Sequence, residues 1–229
     1  MTLGAVTLAC LRDTPPFRVE FAEGTGEDLV IAFSSIGHDP ARMPAPEFQS
    51  SARAGNRRAL FIMDQGRSWG LHPEFAPMLH TALAAAGPAR NRIAIGSSMG
   101  AVCALRAAHL APLSAVLAIG PQSDLADPRW HHLTAGFPDP GPPLPVPGVW
   151  TILFHGLADD RAQAAGFAAA PGVDHLLFPG ITHSDLARHL RAAGVLQGLI
   201  DAACAGDRRR LLRIATSAGG VRRGKGMGL

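Results

Sequence analysis

The chain has 229 residues, 47% of them hydrophobic and 17% charged, which suits a folded domain with a sizeable core and excludes a disordered chain. Its formal net charge of +3 is unevenly placed: residues 208–229 hold seven basic residues and no acid, leaving 14 basic against 18 acidic residues in the body. A body of that balance is not expected to bind nucleic acid, whereas the basic end suits an acidic partner or surface. The three cysteines, Cys10, Cys103 and Cys204, are far apart and form no CxxC pair. They read as small core residues in a reducing compartment, forming neither a disulfide frame nor a metal site. Without a basic leader or an apolar run of 18 residues, the expectation is a soluble, cytoplasmic protein.

Taken in chain order, residues 4–10 and 17–21 read as two short strands joined by a proline turn. Apolar, β-rich runs follow at 28–37, 58–66, 91–98, 114–121, 148–156 and 173–180. Continuous runs of Val, Ile, Leu and Phe suit strands buried on both faces, as in a parallel sheet. Helical patterns lie at 73–86, 99–110, 160–170, 184–193 and 195–205, with Pro73 and Ser184 near two of the starts. The alternation predicts an α/β fold with a doubly wound, mostly parallel sheet of eight strands. Residues 125–148 break the rhythm with seven prolines, a short cap or loop inserted after the sixth strand. The domain is expected to span 1–206. Residues 207–229 are expected to form a flexible basic tail that chemistry does not need.

The stretch Gly96-Ser97-Ser98-Met99-Gly100, at the end of the fifth strand, fits Gly-x-Ser-x-Gly with Ser98 at its centre and Ser97 as the variable residue. A serine hydroxyl is a weak nucleophile and needs a base, a carboxylate to orient that base, and donors for an oxyanion. After the seventh strand, Gly156 and Asp159 stand in a Gly-x-x-Asp frame; after the eighth, His183 follows Gly180. In these three motifs the chain resembles the α/β-hydrolase family, over roughly residues 4–205. The resemblance implies Ser98 as nucleophile, Asp159 as acid and His183 as base. It also implies an oxyanion hole made by the N–H of Met99 and a second donor from the loop after the third strand, at Ser35 or Ile36. Asp160 takes the acid's place if the turn is shifted by one, and otherwise caps the next helix. Asp124, after the sixth strand, is a further alternative.

Four more residues are candidates for substrate binding. Arg67 and Trp69 follow the fourth strand and so belong to the same sheet edge as Ser98. Arg67 suits a polar or anionic substrate group and Trp69 an apolar wall, unless the loop is simply tied down by an Asp64–Arg67 contact. Trp130 and Phe137, in the insertion, either roof an acyl pocket or keep water out. His155, His175 and His189 read as structural. No metal site, phosphate loop or cofactor is expected. The resulting expectation is a serine hydrolase of carboxylesterase or thioesterase type, cleaving a small acyl ester or thioester through an acyl-enzyme on Ser98. The alternatives are an acyltransferase using the same residues, and a non-enzymatic protein of this fold binding a partner through its basic tail.

Overall fold

The computed structural model describes residues 8–224 except 40 and 139. The strand expected at 4–10 lies mostly outside them; the first strand described is β1 (Ala9–Thr14). It pairs antiparallel with β2 (Phe17–Ala22), which in turn pairs antiparallel with β4 (Arg58–Asp64). From β4 the sheet runs in parallel through β3 (Leu29–Phe33), β5 (Arg92–Ser97), β6 (Ala115–Ile119), β7 (Trp150–Gly156) and β8 (Val173–Phe178). The strand order reverses at β3, so chain direction and crossovers bring the loops after β5, β7 and β8 to one edge. Ligands bind beyond that carboxyl edge in open α/β sheets.

Period-two alternation divides the apolar strand residues between two cores. Ile31, Ala94, Val116 and Ala118 face a core with α2 (Phe75–Ala86) and α3 (Met99–Ala107). Val30, Ile93, Ile95, Leu117 and Ile119 face the other. That second core includes residues of α1 (Gln49–Arg53), α6 (His183–Ala192) and α7 (Leu196–Cys204). The short α4 (His131–Thr134) and α5 (Arg161–Gly166) complete the crossovers after β6 and β7. The insertion is anchored within itself, where the Thr134 hydroxyl donates to the Leu125 carbonyl at 2.7 Å. Helix α6 begins one residue before the position expected for it. Its N-cap is Thr182, not Ser184, and the Thr182 side chain accepts from the Asp185 N–H.

Two expectations are corrected at the C-terminal end. Among the described residues the sheet has nine strands, and the body does not stop at residue 206. Helix α8 (Arg208–Ser217) and the two-residue β9 (Val221–Arg222) pack on the sheet, with β9 antiparallel to β8 through Leu177↔Val221 and Leu176↔Arg222. Leu211 and Ala215, four apart and therefore on one helix face, are fully buried. Arg208 donates to both carboxylate oxygens of Asp174 at 2.6 and 2.8 Å, and Arg222 lies 3.2 Å from the same group. Asp174 is buried in β8. Burial opposes its charge, but the hydrogen bonds from Arg208 and Trp150 outweigh that and hold its pKa below the usual carboxylate value. Part of the basic charge thus neutralises a buried acid, a demand that tail composition alone does not reveal.

Candidate active site

The turn after β5 is the tightest point at this edge. Ser98 sits at φ 53°, ψ −123°, a backbone region that costs a non-glycine residue about 1–3 kcal/mol and clusters at functional sites. Two glycines permit it. A Cβ on Gly96 would lie 2.1 Å from the Gly100 carbonyl oxygen, and one on Gly100 would lie 2.3 Å from the Phe33 carbonyl oxygen. The Ser98 N–H donates to the Ile119 carbonyl at 2.8 Å, tying the turn to β6. Its side chain is lifted towards the loops after β6 and β8. Ser97 completes β5, in register with Ile119.

His183 opens α6, and its Nε2 lies 3.0 Å from Ser98 Oγ. On the other side of the ring, Nδ1 lies 2.7 Å from Asp160 Oδ2. The side chains of His183 and Asp160 are 6% and 0% exposed, so this contact is shielded from water and retains its electrostatic strength. A carboxylate can only accept, so Nδ1 carries the proton, Nε2 is the acceptor, and the Ser98 hydroxyl donates to it.

Asp159, the residue in the glycine frame, does not meet the imidazole. Its Oδ1 accepts from the backbone N–H of His183 at 2.7 Å. The two neighbours therefore divide the work: Asp159 holds the start of α6, and Asp160 holds the ring. Asp160 is the N-cap residue of α5 by position, yet its side chain makes no cap hydrogen bond. Gly156 allows the two loops to come together, since a Cβ there would lie 2.4 Å from the Ile181 carbonyl oxygen. Asp124 is exposed, and its Oδ1 accepts from the Ala126 N–H.

Arg129, which the sequence reading did not single out, clamps the Asp160 carboxylate. It reaches Asp160 Oδ1 at 3.3 Å and the Asp159 carbonyl at 2.9 Å while forking onto Asp127. Hydrogen bonds from Arg129 hold the Asp127 carboxyl well below the usual carboxylate range. Trp130 follows, its ring 4.8 Å from the imidazole of His183 between centroids. This candidate does lie against the site. Phe137 is half-buried in the turn after α4, its N–H donating to the Thr134 carbonyl, and makes no ring contact with His183 among the described residues.

The other two candidates are corrected. Arg67 is buried, and its guanidinium donates to the carbonyls of Ile36, Gln65, Asp39 and Arg42. It is a staple for the loop after β3, already committed to the backbone. The expected Asp64–Arg67 contact is between backbones, at 3.4 Å, while the Asp64 carboxylate accepts from Gly66 and Ser68. Trp69 is fully buried and lines no open wall; its indole N–H donates to Gln122 Oε1 at 3.3 Å. Gln122 in turn donates from Nε2 to Ser98 Oγ at 2.9 Å. Gln122 stands three residues past β6, after Gly120 and Pro121, in no pattern that marks it as part of a site.

On the β3 side, Met99 is the first residue of α3, so its N–H belongs to the unpaired N-terminal turn. Ser35 is otherwise engaged: its N–H and hydroxyl both donate to Glu47 Oε1, at 3.2 and 2.5 Å. That leaves Ile36 of the two expected second donors, on the loop that Arg67 holds.

Below the site His155 and His175 form a buried pair, Nδ1 to Nε2 at 2.8 Å. His155 Nε2 meets the Pro121 carbonyl at 3.0 Å. Burial, and then the neighbouring His175, push the pKa of His155 down to about 3. Burial and then Arg223 do the same for His175. A groove of about 800 Å³ lined by Asn91, Ser114, Trp150 and Cys204 lies at the opposite end of the strands, away from Ser98. Among the described residues no three His, Cys, Asp or Glu side chains are grouped to hold a metal ion, and no helix is long and apolar enough to cross a membrane.

No family model matches the chain, and no curated protein matches its sequence. Solved structures do resemble it. A capsule O-acetyltransferase of Neisseria meningitidis serogroup A, in complex with CoA, is 14% identical with a TM-score of 0.59, covering 85% of this chain and 98% of its own. An esterase of Pyrococcus furiosus is 13% identical with a TM-score of 0.54, covering 84% and 91%. A proline iminopeptidase of Mycobacterium smegmatis is 10% identical with a TM-score of 0.51, covering 93% and 100%. All three are α/β-hydrolase-fold proteins. With its parallel central strands, flanking helices and sharp turn after β5, the chain has the α/β-hydrolase fold.

Proposed function

We propose that this protein is a serine-dependent acyl-transfer enzyme that cleaves a small ester or thioester through an acyl-enzyme on Ser98. The observation that carries this reading is the chain Ser98 Oγ–His183 Nε2 at 3.0 Å and His183 Nδ1–Asp160 Oδ2 at 2.7 Å. In the first half-reaction His183 Nε2 takes the hydroxyl proton as Oγ bonds to the acyl carbon, then gives it to the departing alkoxide or thiolate. Asp160 keeps the imidazole in the reactive tautomer and stabilises its charged form. The N–H groups of Met99 and Ile36 are the proposed donors to the oxyanion. Water then repeats the sequence to release the acid.

A hydroxyl acceptor in place of water would make the protein an acyltransferase with the same residues. The O-acetyltransferase among the structural neighbours motivates testing that reading, although fold alone does not select it. The direct test is labelling by a fluorophosphonate together with turnover of nitrophenyl esters and acyl thioesters of graded length, with and without added alcohol. Wild type and Ser97→Ala should label and turn over; Ser98→Ala should do neither. An unlabelled wild type that turns over no short ester or thioester overturns the proposal, and would favour a non-enzymatic binding role.

A further inference from the structure

We propose that Gln122 is a second catalytic group on the nucleophile, one that expels Ser98 Oγ from the acyl-enzyme. The inference rests on the acyl-enzyme reading above. Gln122 is 1% exposed, and its surroundings leave its amide one orientation. The indole N–H of Trp69 can only donate, so the side facing it at 3.3 Å is Oε1 and the side facing Ser98 is the donor Nε2. The backbone carrying Gln122 is pinned on both sides. Pro121 C=O accepts from His155, while the Ser123 N–H donates to Gln163 Oε1 at 2.7 Å. The resulting hydrogen bonds run in one direction: Trp69 to Gln122, Gln122 to Ser98, Ser98 to His183, and His183 to Asp160.

Sheet order separates this donor from the oxyanion hole. Gln122 follows β6, whereas the loop carrying Ile36 follows β3, and β5 lies between those two strands. The Gln122 N–H is therefore aimed at the serine oxygen itself. Its effect depends on how good an acceptor that oxygen is at each stage. In the resting enzyme the hydroxyl already accepts the hydrogen bond, so acylation starts with the interaction made and gains little from it. In the acyl-enzyme, Oγ is an ester oxygen whose lone pair is delocalised into the carbonyl, and it accepts weakly. When the water adduct collapses, the acyl carbon–Oγ bond breaks, its electron pair returns to Oγ, and Oγ recovers a proton from His183 Nε2. A donor that strengthens only as charge gathers on Oγ favours that collapse over loss of the water oxygen. Trp69 is then a positioning residue, acting through Gln122.

The test is pre-steady-state turnover of p-nitrophenyl acetate by wild type, Gln122→Leu and Gln122→Met, with intact-protein mass measured during turnover. Both variants should acylate within about threefold of wild type. Their deacylation should slow by about 10- to 100-fold, the range for one hydrogen bond to an ionising group, so acetyl-enzyme accumulates. Gln122→Met is close in volume and lacks the N–H donor without adding a charge, which covers the case of Gln122→Leu failing to fold. Acylation and deacylation falling by the same factor would overturn the inference in favour of an oxyanion or purely structural role. Unchanged deacylation would overturn it too. A wild type that forms no acyl-enzyme at all sinks the parent reading, an outcome distinct from either.

Discussion

Asp160 Oδ2 lies 2.7 Å from His183 Nδ1, while its neighbour Asp159 is spent on the backbone N–H of the same histidine. Asp160→Asn should therefore reduce turnover by roughly 10⁴-fold with the fold intact, because an amide in that place no longer holds the reactive tautomer. Asp159→Asn should cost far less, and Asp124→Asn less still. Steady-state turnover of a nitrophenyl ester, with circular dichroism as a folding control, separates them. Collapse of Asp159→Asn with a near-normal Asp160→Asn would return the acid to the glycine frame.

Arg67→Met should act on stability and on the loop after β3, not on substrate charge. The substitution removes the hydrogen bonds to the carbonyls of Ile36, Asp39 and Arg42 in that loop and of Gln65 after β4, and a hydrogen bond made by a charged group contributes about 1.5–3 kcal/mol. The expected result is a lower melting temperature and a lower kcat for all esters, with the preference between neutral and anionic substrates unchanged. A selective rise in KM for anionic esters would show that Arg67 meets substrate.

Stability should decline in mild acid because of the buried histidine pair. In the unfolded chain each ring titrates near pH 6.5, whereas the fold holds both down at about 3. Between those values the unfolded state binds more protons, so this contribution is fully present above about pH 6.5 and is lost as pH falls. At about pH 5 the loss should be roughly 2 kcal/mol per histidine, from about 1.4 kcal/mol for each unit below 6.5. Urea unfolding at the two pH values measures it. His175→Gln should remove about half of the slope, and an unchanged slope would refute the assignment.

A chain ending at Gly206 should be insoluble or strongly destabilised. Truncation there strips Arg208 and Arg222 from the buried Asp174 and uncovers the surface that Leu211 and Ala215 cover. Removing the partner of a buried charge alone costs about 3–5 kcal/mol. A chain ending at Gly224 retains α8 and β9 and should melt close to full length. Equal melting temperatures for the two truncations would restore the free-tail reading.

The features legible in the sequence are those set by short-range rules. Runs of β-branched and aromatic residues announce strands buried on both faces, and Gly96 and Gly100 announce a turn where backbones nearly touch. That logic reaches Ser98 and His183, each tied to a strand end by local spacing. It stops one residue short of the carboxylate that meets the imidazole. Asp159 and Asp160 are adjacent and chemically alike, and which of them faces the ring is decided where the loop after β7 meets the loop after β8 at Gly156 and Ile181. Gln122, Trp69 and Arg129 come from loops after two different strands and share no spacing, so only the sheet order assembles them around Ser98. The basic end illustrates the same limit. Its arginines look like tail charge until the fold supplies Asp174, a buried acid in β8 more than thirty positions earlier, whose charge needs a partner. Periodicity and glycine placement act through neighbouring residues and can be read along the chain. Satisfying a buried polar group requires partners brought together in space, and only the tertiary structure decides which residues those are.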